Sequence, residues 1–297
     1  MREISKLKGA LYGAAVGDAL GAPLEFMAPE QIVLQYGTVK DMVGGGWLHT
    51  APGEGTDETA LMLACAYGII KNPADPYAEI GKNYINWAIS RPRDISDTTL
   101  RSIDRTMAKA HGKYLVPKAR WQESAQQVDV FSNRGSIDNG AIVNMVYPAL
   151  YYRQEDEAVP IALDIANMTH ANTQSNNACR LYTQLIFRIF NRGIDKKKMD
   201  ELIDSTMYYR YKKEYVLPTA CAHDSIVSML HAFMETESLE DALIRAVNYG
   251  GDSDTIGAMT GGLAGCFYGF EAIPQRWLDA LPVEIKQMLD EICTAVN

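Results

Sequence analysis

Close to the C-terminus, Gly250-Gly251-Asp252-Ser253-Asp254-Thr255-Ile256-Gly257 sets two carboxylates and a hydroxyl within four residues, behind a glycine pair and ahead of an apolar segment. A chain carrying this stretch must turn and then enter a helix, because Ile256, Met259, Leu263, Cys266, Phe267 and Phe270 recur at three- and four-residue intervals. Asp252, Asp254 and Thr255 are therefore expected at a loop-to-helix junction, where the free N–H groups of a first turn favour carboxylates. Taken alone, the stretch is a helix cap and a turn. It is also a set of oxygen ligands for a hard cation.

A second oxygen cluster lies far upstream. Gly53-Glu54-Gly55-Thr56-Asp57-Glu58-Thr59 again joins hydroxyls and carboxylates between glycines, and the apolar run Ala60-Leu61-Met62-Leu63-Ala64-Cys65-Ala66-Tyr67 follows. Two such junctions can converge on one metal pair, since Mg²⁺ and Mn²⁺ prefer near-octahedral oxygen coordination and a Thr hydroxyl can complete the shell. Zinc is not the expected ion. His49, His111, His170, His223 and His231 and the five cysteines show no tetrahedral ligand spacing.

The third feature is the N-terminal run from Gly9 to Phe26, in which small residues on one side of a helix permit close backbone approach. Gly21 and Pro23 end that helix, and Asp18 and Glu25 bracket its end.

Together the three segments resemble the ADP-ribosylglycohydrolase family, which includes the dinitrogenase-reductase-activating glycohydrolases and the ADP-ribosyl-acceptor hydrolases. The order is similar to the family's: a Gly-Asp-x-x-Gly helix ending at a Glu, a Thr-Asp-Asp-Thr-like motif, and near the end a Gly-Asp-x-Asp-Thr motif opening a helix. The resemblance implies an all-α, multi-helix fold with a dinuclear metal cleft holding two Mg²⁺ or Mn²⁺ ions. The positions that match the family's ligands are Thr56, Asp57, Glu58, Asp252, Asp254 and Thr255. Glu58 stands where the family usually has a second Asp, one methylene longer, so ion spacing and affinity are what this departure touches.

Glu25 matches the acidic residue that in the family lies beside the ions and the scissile ribose linkage, and with Asp57 it is the implied catalytic group. Ser132-Asn133-Arg134-Gly135-Ser136 resembles the family's Asn-Gly-Ser-type loop near the pyrophosphate, which makes Asn133, Gly135 and Ser136 implied contacts. Where many members continue with Met-Arg, this chain has Ile137-Asp138. Met168-Thr169-His170-Ala171-Asn172 is similar to the family's Thr-His pair, with His170 near the distal ribose or phosphate. Tyr249, beside Gly250 and Gly251, is placed either to offer an aromatic face to an adenine or sugar or to fill the core.

With 297 residues, 47% of them hydrophobic and 22% charged, the chain has material for a large core, and no linker or internal repeat divides it. We expect one domain over residues 1–297. Helical periodicity recurs at Ile4, Leu7, Leu11, at Ala178, Leu181, Leu185, Ile186, Ile189, and at Leu239, Ala242, Leu243, Ala246, Val247. Turn signals at Asn72-Pro73, Asp75-Pro76, Arg91-Pro92, Asn191-Arg192-Gly193 and Leu217-Pro218 divide the chain into roughly a dozen helices. The segment from Arg91 to Thr99 reads as an exposed loop at the substrate entrance. Gly44-Gly45-Gly46 with Trp47 reads as a mobile loop near the first acidic motif, placed to serve as a lid.

A net charge of −9 argues against a nucleic-acid groove, and Lys196-Lys197-Lys198 reads as a solvated helix face. Bound ions would still let an acidic site hold an anionic pyrophosphate. Cys65, Cys179, Cys221, Cys266 and Cys293 are widely spaced, mostly in apolar helical surroundings, and read as buried thiols in a reducing compartment, not a disulfide frame. No apolar segment is long enough to span a bilayer, so a cytoplasmic protein without a membrane partner is expected. The resemblance implies hydrolysis of the ribose C1″ linkage of an ADP-ribosylated protein or small molecule, with arginine as the first acceptor to consider. The alternatives are a hydrolase of another ribosyl small molecule, or a non-catalytic relative that binds ADP-ribose or serves a structural role.

Overall fold

Fifteen α-helices form in the structure, a computed structural model that describes residues 2–110, 112–132 and 135–296. They are α1 (Arg2–Gly21), α2 (Pro29–Tyr36), α3 (Asp57–Lys71), α4 (Tyr77–Ile89), α5 (Asp97–Ala110), α6 (Lys118–Phe131), α7 (Val146–Tyr151) and α8 (Glu155–Ala166). The second half contains α9 (Thr173–Arg192), α10 (Lys196–Asp204), α11 (Ala222–Met234), α12 (Leu239–Val247), α13 (Ser253–Tyr268), α14 (Gln275–Ala280) and α15 (Val283–Thr294). Among the described residues the only extended pairing is two isolated bridges, Gly45 with Thr50 and Asp138 with Cys221, so the fold is all-α.

The small-residue stripe at the N-terminus packs against an equivalent stripe in α13. Gly9 faces Gly265, Gly13 faces Gly261, Gly17 faces Gly257 and Gly21 faces Ser253, an antiparallel register in which a Cβ on any of these glycines would overlap the opposite backbone. Four-residue spacing keeps each small residue on one helix face, so the two backbones touch along the length of the pair. The contact ends with the Ser253 hydroxyl donating to the Gly21 carbonyl at 2.8 Å. Because α13 starts where α1 stops, the acidic residues at those two ends are brought to one place.

The remaining helices enclose this pair. In α9, Ala178, Leu181, Leu185, Ile186 and Ile189 are all buried, as their spacing requires, and Gly193 in the left-handed conformation ends the helix. Side-chain caps start α3 at Thr56, α9 at Asn172 and α12 at Ser238. Fifteen helices exceed the expected dozen partly because short extended breaks at Tyr152 and Leu281 split apolar runs that periodicity alone joins. Gly269, at φ 89, stops α13 one residue before Phe270, which belongs to a separate 3-10 turn.

Two loop expectations change. The segment 91–99 is not simply exposed: Thr99 is buried within α5, and Arg93 donates to the carbonyls of Leu48 and His49 and pairs with Glu54, drawing the loop inward. The Gly44–Gly46 segment is closed by paired backbone bonds between Gly45 and Thr50 at 2.8 and 2.9 Å. All five cysteines are free thiols, Cys221 half-buried and the others buried. No helix among the described residues is long and apolar enough to cross a membrane.

Candidate active site

Asp18 lies one turn before the end of α1 and is completely buried. Its carboxylate accepts the backbone N–H groups of Thr56 and Thr59, each at 3.0 Å, and contacts both threonine hydroxyls. These are the orphan donors of the first turn of α3, so Asp18 caps that helix from another part of the chain and fixes Thr56, Asp57 and Glu58 against α1. On the other side, Phe26 N–H donates to the Gly251 carbonyl at 2.7 Å and Gly251 N–H donates to the Met27 carbonyl at 2.9 Å. This short pairing sets Glu25 beside Asp252. Gly250 and Gly251 have φ of 70 and 60, and a side chain on either would overlap the backbone of Met27 or Pro218.

The carboxylates then converge. Oxygens of Glu25, Asp252 and Asp254 lie within 4.8 Å of one another, and so do those of Asp57, Asp94 and Asp254, making Asp254 common to both groups. The Trp47 indole N–H donates to Glu25 at 2.6 Å, the Asn139 amide donates to Asp252, and the Thr255 hydroxyl donates to Glu58 at 3.0 Å. The Thr56 hydroxyl oxygen is 3.1 Å from Asp254 and 2.9 Å from Asp18, although it has one proton for the two. The second oxygen of Asp254 is buried and has no partner.

Burial raises the proton affinity of Asp18, Glu25, Asp57, Glu58, Asp94 and Asp254, and repulsion from acidic neighbours raises all but the first further. Glu25 is pushed up to about 8, first by burial and then by Asp94, Asp252 and Asp18, against the lowering effect of Trp47. Asp57, Glu58 and Asp254 are raised well above the carboxylate range by burial and then by their acidic neighbours. Asp94 is raised by burial despite its hydrogen bond with Asp57, and Asp18 is raised by burial despite its four donors. Hydroxyls, backbone amides, an indole and, for Asp94, the hydrogen bond with Asp57 are what oppose the shift in these groups. An all-oxygen donor set, an unpartnered buried carboxylate oxygen and uncompensated negative charge fit a hard divalent cation. A cavity of about 320 Å³, lined by Thr56, Asp57, Asp94, Leu48, Trp87 and Arg93 among others, opens beside the cluster.

Of the residues expected from sequence, Thr56, Asp57, Glu58, Asp252, Asp254, Thr255 and Glu25 gather here. Asn133 lies outside the described residues. Ser136 is buried, with its N–H and hydroxyl both on Asp129 at 2.6 and 3.0 Å, and Gly135 sits at φ 72 against Asn172, which also binds Asp129. His170 is fully buried in a second polar network, between Asp138 on Nε2 and the Thr169 hydroxyl at 2.9 Å on Nδ1. Burial would raise the Asp138 carboxyl, but His170 and the Thr98 hydroxyl outweigh it and bring it down to about 2. The two networks are adjacent in the chain through Asn139, which binds Asp252 and the Ser225 hydroxyl.

Tyr249 accepts from Arg245 Nε at 2.9 Å and packs on the small cluster of Ala232, Ala246 and Ile256. The amides of Gly250 and Gly251 are both engaged by backbone carbonyls, of Val247 and Met27. Sequence reasoning missed Asp94, Asn139 and the pairing of Trp47 with Glu25. Asp94 had no signal beyond being a carboxylate in a Pro-containing loop, and Asn139 had none.

The ADP-ribosylglycohydrolase family model matches residues 1–297. The chain is 31% identical over 283 residues to the ADP-ribosyl-dinitrogen reductase glycohydrolase of Rhodospirillum rubrum, covering 94% of this chain and 91% of that one. It is 27% identical over 289 residues to an ADP-ribosylarginine hydrolase of Serratia proteamaculans, covering 94% of this chain and 75% of that one. A solved structure described as an ADP-ribosylglycohydrolase-related protein complex superposes with a TM-score of 0.80 at 26% identity, covering 99% of this chain and 98% of that one.

Proposed function

The chain belongs to the ADP-ribosylglycohydrolase family, and from that premise we propose that it hydrolyses the ribose C1″ linkage of ADP-ribosylated acceptors, arginine N-glycosides first, with two Mg²⁺ or Mn²⁺ ions. The observation that carries this reading is the buried Asp254 carboxylate, shared between two groups of acidic oxygens and unpartnered on one side. Thr56, Asp57, Asp252, Asp254 and Thr255 would hold the ions, Glu58 would complete the set through the Thr255 hydroxyl it accepts, and Asp94 joins them on its proximity to Asp57 and Asp254. Bound there, the ions supply charge stabilisation as the glycosidic bond breaks and make water a better nucleophile.

The protein side chains have separate tasks. Glu25, oriented by Trp47 and set beside Asp252 by the pairing of Phe26 with Gly251, orients the attacking water and takes its proton, with Asp57 in support. Water adds across the C1″–nitrogen bond: ADP-ribose keeps the hydroxyl and the acceptor nitrogen leaves with a proton. Gly135 and Ser136, fixed by Asp129, and His170, fixed by Asp138, belong to the side of the site that binds the rest of ADP-ribose, a role the sequence assigns to Asn133 as well. Tyr249, Gly250 and Gly251 serve that side by shaping its wall, since their polar groups are engaged within the protein. The Serratia relative's name supports arginine as acceptor. One domain over residues 1–297, a protein or small-molecule ADP-ribosyl substrate and a cytoplasmic setting complete the proposal, the last supported by the five free thiols.

The test is release of ADP-ribose from arginine-linked and serine-linked substrates with Mg²⁺, Mn²⁺ or chelator. Release that depends on metal and favours arginine is the expected result. Binding of ADP-ribose with no release from either substrate would make the chain a recognition module instead.

A further inference from the structure

Phe26 follows Glu25 directly and stands at φ 63, a backbone region that a bulky side chain enters only under constraint. The constraint is the pairing with Gly251, which uses backbone atoms alone and makes no demand on the ring. Burial does not compensate, because Phe26 is 68% exposed. Trp47 is 47% exposed and lies against it, with ring centroids 5.4 Å apart and planes at 39°. The one polar atom of Trp47 is engaged by Glu25 at 2.6 Å. Two large aromatic faces are thus open to solvent at the rim of the carboxylate cluster, one next to Glu25 in the chain and the other hydrogen-bonded to it.

Resting on the hydrolase reading above, we infer that Phe26 and Trp47 form the acceptor subsite and select a cationic, guanidinium-bearing acceptor. An acceptor carried on a protein arrives from bulk solvent, so the surface between Glu25 and water is the one it occupies when its linkage reaches Glu25. With the indole N–H already bound, these rings recognise through their faces. A guanidinium is planar, weakly hydrated and stacks on such faces, whereas the neutral oxygen of a serine linkage gains nothing from them. The net charge of −9 attracts a cationic acceptor over a longer range.

Phe26→Gly, Trp47→Leu and Trp47→Phe separate the possibilities. Glycine adopts φ 63 without strain, so Phe26→Gly removes the ring and keeps the backbone. Trp47→Phe keeps a face and loses the bond to Glu25, while Trp47→Leu loses both. The readout is kcat/KM on ADP-ribosylarginine and ADP-ribosylserine peptides, with ADP-ribose affinity by calorimetry reporting an intact cleft. A wild-type preference for arginine that falls roughly tenfold in Phe26→Gly and Trp47→Leu, the size of one cation–π contact, and persists in Trp47→Phe is the expected result. Equal losses on both substrates would show that the rings only position Glu25, and would overturn the subsite. An unchanged ratio, or a wild-type preference for serine, would overturn it as well. Release from neither substrate by the wild type would bring down the hydrolase reading, and the subsite with it.

Discussion

One carboxylate oxygen of Asp254 lies 3.1 Å from the Thr56 hydroxyl, and the other is buried with no partner at all. An anion in that position is unfavourable without a cation, and its neighbours Asp252, Glu25, Asp18 and Glu58 add to the repulsion. Asp254→Asn keeps the shape and removes the charge. The variant should lose about a hundredfold or more of metal-dependent turnover, and in chelator it should be about 1 kcal/mol more stable than wild type. Mg²⁺ or Mn²⁺ at a hundred times its dissociation constant should stabilise wild type by about 2.7 kcal/mol and barely affect the variant. Activity assays and paired melts with metal and chelator check this. A full thermal response to metal in Asp254→Asn would remove the residue from the ligand set.

Glu58 tests a different point. It is buried and accepts the Thr255 hydroxyl at 3.0 Å, yet neither close group of carboxylates includes it. Glu58→Asp withdraws the carboxylate by about 1.5 Å, one carbon–carbon bond. It should cost about 1 kcal/mol of stability through the lost methylene and the unpartnered Thr255 hydroxyl. Metal affinity, read from the metal dependence of turnover, should change by less than about tenfold, against much larger losses for Asp252→Ala or Asp254→Asn. A loss as large as theirs would show that Glu58 ligates an ion directly.

The reach of sequence reasoning follows from how each residue arrives at the site. Asp57 and Asp252–Thr255 stand at helix starts, where glycines, caps and the change to helical period mark the junction locally. Asp94 and Asn139 reach the cluster only because other segments hold their loops: Arg93 ties one to Leu48 and Glu54, and the Asn139 N–H ties the other to Ala220. Nothing local in Arg91-Pro92-Arg93-Asp94 distinguishes it from a solvated loop. Trp47 is intermediate, since the triple glycine beside it marked a loop near the first acidic motif without indicating that the indole would meet Glu25.

The helix pair that aligns the two acidic ends should tolerate almost no side chain at its interface. In an isolated helix Gly→Ala gains roughly 1 kcal/mol. At Gly13 or Gly261 the added methyl meets the partner's backbone, which has no rotamer with which to move aside. We expect Gly13→Ala and Gly261→Ala each to destabilise by about 3 kcal/mol or more, at the upper end of overpacking effects, and to weaken metal binding because α13 carries Asp254 and Thr255 while Asp18 at the end of α1 holds the start of α3 with Thr56, Asp57 and Glu58. Chemical denaturation with linear extrapolation measures the first effect. A neutral or stabilising result at either glycine would contradict the backbone contact.

The His170–Asp138 contact makes a pH prediction with a definite sign. The Asp138 carboxyl is held at about 2, below its ordinary value near 3.8: burial acts to raise it, and His170 with the Thr98 hydroxyl outweighs that. A folded-state value below the unfolded one means that ionised Asp138 stabilises the protein above the unfolded value, and that this contribution disappears as pH falls through about 2. The lowering corresponds to about 2 kcal/mol. Asp138→Asn should therefore be less stable than wild type by about that amount at pH 5, with the difference shrinking toward zero as pH approaches 2. Denaturation of both proteins across this range, in chelator so that the carboxylate cluster contributes equally to each, isolates the pair. A difference that stays constant with pH would mean that Asp138 acts through shape or a neutral hydrogen bond and not through its charge.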